Sequence, residues 1–109
     1  MSDPIAVDPE EAFVAALSSC HMLWFLSIAA KAGFEVCEYL DDAIGELKLN
    51  DSGKLFIAIV TLRPRVIWAI DREPTTEQIS QLHHQAHTEC FIANSVKSEI
   101  RIAPRETLN

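Results

Sequence analysis

The sequence predicts an α+β fold in which one long buried helix packs on an antiparallel sheet. Residues 10–31 contain no Gly or Pro, are rich in Ala and Leu and have almost no polar face, which favours a buried helix. Residues 35–70 are rich in β-branched side chains and partly alternate in polarity, which is typical of strands. A shorter amphipathic helix and a last strand follow. We therefore predict the order α-β-β-α-β in a single domain, residues 1–109.

The boundaries of the first helix are marked at both ends. Asp8-Pro9-Glu10-Glu11 combines an N-cap residue, a proline at the first helical position and two acids in the first turn. Gly33 is expected to end the helix at about Ala32, because glycine readily takes the left-handed conformation that follows a helix. A helix this apolar needs cover on most sides, and three strands and one shorter helix supply little of it. We therefore expect a homodimer with the apolar helices near its centre.

Turn signals place the strands. The turn Asn50-Asp51-Ser52-Gly53 separates a strand over residues 35–50 from a strand over residues 54–70, and we expect the two to form a hairpin. Pro64 interrupts the second strand and indicates an edge position or a bulge, because proline cannot donate to the ladder. A last strand is expected over residues 96–102.

The second helix begins with a capping box. Thr75 is the expected N-cap, and Gln78 stands in the position that bonds back to it. The apolar stripe of this helix comprises Ile79, Leu82, Ala86 and Cys90.

Charge and cysteine usage narrow the function classes. The chain has 9 Lys and Arg against 16 Asp and Glu, a net charge of −7, and Arg63-Pro64-Arg65 is its longest basic feature, so a nucleic-acid role is disfavoured. We see no secretory signal, and polar residues at the centre of the first helix argue against a membrane span, so we expect a cytoplasmic protein without membrane contact.

In a reducing compartment, cysteines more often have metal, redox, catalytic or plain core roles than form structural disulfides.

Cys20 lies in the middle of the first helix. At about 100° per residue it projects close to Phe13, Ala16 and Trp24, so its thiol faces an apolar wall. Taken alone, a cysteine in such surroundings is best interpreted as a small hydrophobe. A reactive thiol needs a cation or hydrogen-bond donors nearby. His21 is adjacent in sequence but points about 100° away, so it is a poor direct partner.

His83, His87 and Cys90 form a second cluster. They fall within about 60° on one helical face, at spacings of four and three that metal ligands on a helix use, so a zinc site is one hypothesis. A fourth ligand is not obvious, and histidines beside an apolar stripe are more often core or interface residues, so we expect neither a metal nor a cofactor. Cys37 has no cationic neighbour and is expected to be a filler thiol.

Five segments together carry a family resemblance. They are Asp8-Pro9-Glu10-Glu11, Ala15-Ala16-Leu17-Ser18-Ser19-Cys20-His21, Lys31-Ala32-Gly33, Leu82-His83-His84-Gln85-Ala86-His87 and Glu89-Cys90-Phe91-Ile92-Ala93-Asn94-Ser95-Val96. They closely resemble the OsmC/Ohr family of osmotically induced and organic hydroperoxide resistance proteins over roughly residues 3–102. The last segment is the most specific and looks like the OsmC-like branch.

The resemblance implies an intertwined α+β homodimer with thiol peroxidase activity on organic hydroperoxides and, less efficiently in some branches, on hydrogen peroxide. By motif position it implies that Cys20 is the peroxidatic thiolate and that Cys90 resolves its sulfenic acid as a disulfide. A dithiol, such as a lipoylated protein, then reduces that disulfide. Glu10 matches the glutamate that orients an activating arginine. Because it lies about 15 Å from Cys20 along the helix axis, it must act through that arginine.

The sequence departs from the family pattern before Asp8. Members usually carry an N-terminal block of strands there, and this block supplies the activating arginine. We therefore expect a member that lacks this block and uses Arg63, Arg65 or another cation, or a truncated gene product. The remaining alternative is a dimeric scaffold or small-ligand-binding protein that has lost peroxidase activity.

Overall fold

The computed structural model describes residues 8–105, as two helices and two small sheets. In chain order the elements are α1 (Pro9–Lys31), β1 (Val36–Asp41), β2 (Ile44–Leu49), β3 (Leu55–Leu62), β4 (Pro64–Trp68), α2 (Thr76–Glu89), a 3₁₀ turn (Ala93–Ser95) and β5 (Glu99–Ile102). This α+β architecture confirms the predicted fold class. Residues 1–7 and 106–109 lie outside the described part, so the single domain over residues 1–109 stays a prediction.

Both helices begin, and α1 also ends, where local signals place them. The Asp8 side chain accepts a hydrogen bond from the Glu11 N–H at 2.8 Å, and Gly33 follows α1 with φ of 87°. At α2 the predicted capping box is complete: the Gln78 N–H donates to Thr75 Oγ1 at 3.1 Å, and the Thr75 N–H donates to Gln78 Oε1 at 2.8 Å. These contacts satisfy N–H groups that have no partner within the helix.

The hairpin prediction is only partly right, because each long strand is divided in two. β1 and β2 are separated by Asp42 and Ala43, and β3 and β4 by Arg63. β2 and β3 form the hairpin, whereas β1 pairs with β4 in a separate two-stranded sheet. The observed order is therefore α-β-β-β-β-α-β. Pro64, which has no N–H to give to a ladder, begins the new strand β4.

The side chain of Asp41 holds this break against α1. It accepts hydrogen bonds from the Arg63 N–H at 2.6 Å and from the Ser18 hydroxyl. The carboxylate thus replaces the ladder partner that the Arg63 N–H loses where the strand is interrupted.

The sheet that contains the hairpin is mixed, which corrects the prediction of a purely antiparallel sheet. β5 pairs with β3 in parallel, giving the strand order β2-β3-β5. The chain reaches this position through α2, the kind of crossover that a parallel pair requires. β5 is shorter than predicted, and α2 ends at Glu89 with Cys90 as its C-cap.

Only one stripe of α1 is buried in the described chain. The buried residues repeat every four positions and are Leu17, His21, Phe25 and Ala29. The most apolar stretch of the helix is 22% buried, and by length and composition α1 could also cross a membrane. A single helix of this kind is weak evidence for a span, since core helices of soluble proteins share both properties. In this fold α1 packs through one stripe and leaves its other apolar faces uncovered. This is the pattern of a helix whose remaining faces are covered by another surface.

Candidate functional site

The thiols of Cys20 and Cys90 lie together between α1 and α2. Both cysteines are free, Cys20 is half-buried and Cys90 is 1% exposed. The pKa of the Cys90 thiol is raised, first by burial and then by its hydrogen bond with the Cys20 side chain. The Ala93 N–H, 3.4 Å from Cys90 Sγ, acts in the opposite direction. The protonated form of the Cys90 thiol is therefore favoured.

The end of α2 is built to hold Cys90 in this position. The chain turns there from the helix into the 3₁₀ turn. The side-chain amide of Asn94 donates to the carbonyl oxygens of Thr88 and Cys90, each at 3.0 Å. These bonds satisfy carbonyl groups that a helix end leaves free. As a result, the Cys90 backbone is fixed beside α1.

An aromatic pair flanks the two thiols. Trp24 lies one turn after Cys20 on α1, and Phe91 directly follows Cys90. Their rings meet edge to face, with centroids 5.7 Å apart and planes at 84°. Phe91 is nevertheless 69% exposed. The pair thus offers an accessible apolar surface next to the thiols, which suits the hydrocarbon part of a ligand.

A hydrogen-bonded pair of histidines lies in the same contact between α1 and α2. His21 Nε2 and His83 Nδ1 are 2.9 Å apart, the rings are within 8° of parallel, and Phe25 stacks on His83 with centroids 4.2 Å apart. His21 is 1% exposed and His83 3%. Their other ring nitrogens, His21 Nδ1 and His83 Nε2, have no hydrogen-bond partner. His21 therefore serves the helix contact and points away from Cys20.

Burial keeps both rings neutral. It lowers the pKa of His21 to about 4, with a further contribution from His87, and that of His83 to about 3, with a further contribution from His21. One neutral ring donates and the other accepts. Sequence reasoning missed this pair. The available signal was that His21 lies four residues from both Leu17 and Phe25, on the stripe that is buried.

The zinc hypothesis for His83, His87 and Cys90 finds no support. Within residues 8–105, no group of three or more His, Cys, Asp or Glu side chains is arranged to hold a metal ion. The Nδ1 atom of His83 is occupied by His21, and the thiol of Cys90 faces the other cysteine. The helical spacing is present, but only His83 Nδ1 and the Cys90 thiol have other partners, while His83 Nε2 and His87 Nδ1 are buried without a hydrogen-bond partner in the described chain.

Two further residues considered above lie away from the thiol pair. Glu10 is exposed on the first turn of α1, about 15 Å along the helix from Cys20. Cys37 is exposed on β1, which corrects the expectation that it fills a gap in the core.

The two arginines proposed to activate the thiol have other surroundings. Arg63 forms an ion pair with Asp42, with Nη2 and Oδ2 2.6 Å apart. Arg65 lies on β4, where its backbone neighbour is Arg105. The contacts that the structure shows for these arginines do not include Cys20.

A groove of about 800 Å³ lies between α1 and the strands. Its acidic residues are Glu10, Glu11 and Asp41. Its apolar lining includes Val14, Ala15 and Met22 of α1 and Ile44, Leu47 and Ile57 of β2 and β3. Neither cysteine of the thiol pair lines it, so the groove and the thiols are separate features.

Comparison with known proteins gives a consistent result. The family model described as OsmC-like protein matches residues 2–105. The structure of an OsmC-like protein of unknown function from Vibrio cholerae is 52% identical with a TM-score of 0.92, covering 95% of this chain and 68% of that chain. A search of curated proteins gives no significant match.

Two more distant structures share the fold. The organic hydroperoxide resistance protein OhrB of Bacillus subtilis is 18% identical with a TM-score of 0.72, covering 97% of this chain and 79% of that chain. An organic hydroperoxide resistance protein from Elizabethkingia anophelis is 19% identical with a TM-score of 0.74, covering 99% of this chain and 73% of that chain.

Proposed function

This chain belongs to the OsmC-like protein family, and on that premise we propose that it is a thiol-dependent peroxidase that reduces organic hydroperoxides in the defence against peroxide stress. The observation that carries the proposal is the pair of free thiols, Cys20 and Cys90, with the pKa of Cys90 raised by burial and by its hydrogen bond with Cys20. Two proteins that share the fold are organic hydroperoxide resistance proteins, which supports the substrate class. We place the reaction in the cytoplasm, where dithiol reductants are present.

The two cysteines divide the reaction between them. The half-buried Cys20 attacks one oxygen of the hydroperoxide as a thiolate: an S–O bond forms, the O–O bond breaks, and the alkoxide takes a proton and leaves as the alcohol. Cys90 then attacks the sulfur of the resulting sulfenic acid, which forms a disulfide and releases water. An external dithiol, such as a lipoylated protein, reduces the disulfide and is itself oxidised. The raised pKa keeps Cys90 protonated while Cys20 attacks the peroxide, and in the second step the Cys90 thiol gives that proton to the sulfenic hydroxyl, which leaves as water.

Glu10 enters this proposal as a positioning residue. Its carboxylate is exposed on the first turn of α1 and lies too far from Cys20 of the same helix to act on the sulfur. It instead holds a cation, which lies beside the thiolate in the assembled protein and stabilises it.

The assembly we propose is a homodimer formed through the uncovered side of α1. The helix is apolar nearly all round, and on its uncovered side Leu23 is 61% exposed. Light scattering after gel filtration is expected to give two chains per particle. Leu23→Glu is expected to shift the particle to one chain, because it would bury a charge. Ile70→Glu, at a residue 98% exposed and outside α1, is the matched control. A wild-type particle of one chain at every concentration contradicts the dimer.

The peroxidase is tested by the consumption of cumene hydroperoxide in the presence of dihydrolipoamide. The expected result is saturable loss of the hydroperoxide that depends on the dithiol. Cys37→Ser is expected to retain the full rate, because Cys37 is exposed on β1 and plays no part in the thiol pair. Reaction with the hydroperoxide no faster than that of free cysteine would exclude the peroxidase.

The groove beside α1 favours a second candidate, a non-catalytic protein that binds a small amphipathic ligand. Its volume of about 800 Å³ and its mixture of apolar side chains and carboxylates suit a ligand with a hydrocarbon body and a cationic or hydrogen-bond-donating end. The signature of this candidate is saturable binding of dodecylamine together with a Cys20 that has only the reactivity of free cysteine. Ala15→Trp, which fills the groove, should abolish that binding.

A further inference from the structure

We propose that Arg65 and Arg105 form a binding site for a phosphomonoester, separate from the thiol pair and independent of the proposed peroxidase. The two residues face each other across neighbouring strands. Arg65 of β4 and Arg105, which follows β5, are partners in a parallel bridge, and the Arg105 N–H donates to the Pro64 carbonyl oxygen at 2.8 Å. Paired residues of adjacent strands project to the same face of a sheet. The two side chains therefore start from neighbouring backbone positions on one face of the sheet.

This pairing of like charges has no compensating carboxylate in the part of the chain that the structure describes. Like charges directly opposite each other on neighbouring strands are destabilising. The nearby Arg63 is paired with Asp42, and Arg101 with Glu99. Over residues 8–105 these are the ion pairs that the structure shows, so Arg65 and Arg105 retain two positive charges. They do so in a chain whose net charge is −7.

The hydrogen-bond donors of the two side chains are also only partly used. The Nε atom of Arg65 is buried and has no hydrogen-bond partner. Arg105 donates from its own Nε to the Arg63 carbonyl oxygen at 2.8 Å, which orients its guanidinium group. Because Arg65 Nε is buried, an anion is expected to bind the other nitrogens of the two guanidinium groups. Both side chains are half-buried, so an anion between them is screened less than one on an open surface.

Charge and acceptor number select the ligand class. Two unpaired guanidinium groups match a dianion, and a phosphomonoester carries close to two negative charges near neutral pH, with three acceptor oxygens. Arginine binds phosphate through parallel N–H donors, which supplies geometric fit as well as charge. A carboxylate offers only one charge and two oxygens. The site therefore favours a phosphomonoester over a carboxylate.

The test is calorimetric titration of the wild-type protein with phenyl phosphate, sodium sulfate and sodium acetate at low ionic strength. At about pH 7.5, phenyl phosphate is expected to bind saturably, and Arg65→Gln and Arg105→Gln should each weaken it by about tenfold or more, as lost charge-assisted hydrogen bonds predict. Lys97→Gln, at an exposed cation elsewhere, is the matched control and should bind as the wild type does. Arg105→Lys keeps the charge and loses the parallel N–H donors of the guanidinium group, so it should also weaken binding. This variant tests the site even if a glutamine variant fails to fold.

The pH dependence separates the ligand from the protein. At about pH 5, below the second pKa of about 6 of a phosphomonoester, phenyl phosphate is largely a monoanion and its binding should fall several-fold. Sulfate stays a dianion and should bind equally at both pH values. Absence of saturable binding of phenyl phosphate and sulfate, undiminished binding by the arginine variants, or acetate binding as tight as that of phenyl phosphate would overturn the proposal.

Discussion

Replacing either Cys20 or Cys90 by serine is expected to lower steady-state turnover of cumene hydroperoxide by about two orders of magnitude or more, for different reasons. Cys20→Ser removes the sulfur that attacks the peroxide, so no step proceeds. Cys90→Ser leaves that attack intact and removes the sulfur that resolves the sulfenic acid. The enzyme is then trapped after one reaction, because its partner thiol is missing.

A single-turnover experiment separates the two losses. With one equivalent of hydroperoxide, wild-type protein is expected to form an internal disulfide between Cys20 and Cys90, observed by mass spectrometry of peptides without prior reduction. Cys90→Ser should consume one equivalent and yield a sulfenic acid that dimedone labels at Cys20. Cys20→Ser should consume none, and Cys37→Ser should behave as the wild type does.

These outcomes can also contradict the assignment of roles. A Cys20→Ser variant that still consumes one equivalent would show that another thiol is the nucleophile. A Cys90→Ser variant with full steady-state turnover would show that an external thiol resolves the sulfenic acid directly. The second result would leave the peroxidase intact and remove Cys90 from its mechanism.

Acidification is expected to destabilise the fold strongly through His21 and His83. Their pKa values in the folded chain lie at about 4 and about 3, below the ordinary value of 6.5. Above pH ~6.5 both rings are neutral in the folded and the unfolded states, so they add no pH dependence. Below that pH the unfolded chain binds protons that the folded chain excludes. The free energy of unfolding then falls by up to about 1.4 kcal/mol per pH unit for each ring, which is about 3 kcal/mol per pH unit for the two rings together.

Urea unfolding at about pH 7 and about pH 5 measures this effect. His84→Gln is the control on α2, because His84 is exposed, and it should leave the difference between the two pH values largely in place. The double variant His21→Leu with His83→Leu should flatten it, because both buried rings are gone. His83→Leu alone should cost about 1–3 kcal/mol at neutral pH, because it leaves His21 buried without its partner. An unchanged pH dependence in the double variant would contradict the assignment to this pair.

The helix ends and the family could be predicted from the sequence, because their signals are local. Asp8 caps a backbone N–H three residues later, Thr75 and Gln78 cap each other, and Gly33 supplies a conformation that other residues adopt only at a cost. These interactions depend on neighbours in the chain and hardly on the rest of the fold. The same holds for the motif segments around Cys20 and Cys90.

The strand breaks and the parallel strand could not be predicted in this way. Arg63 can leave the ladder because Asp41, 22 residues earlier, accepts its N–H. β5 runs parallel to β3 because α2 carries the chain across. Both features depend on partners distant in sequence, and a pattern of alternating polarity along one strand does not reveal such partners.

The sequence alone determined the α+β class, the two helices with their caps and the family, because capping, periodicity and motif spacing are properties of short segments. Only the tertiary structure decided which side chains meet. It brought His21 to His83, 62 residues apart, brought Cys90 to Cys20, and set Arg65 beside Arg105. Such contacts are fixed by how helix faces and strands pack against one another, which depends on the whole chain.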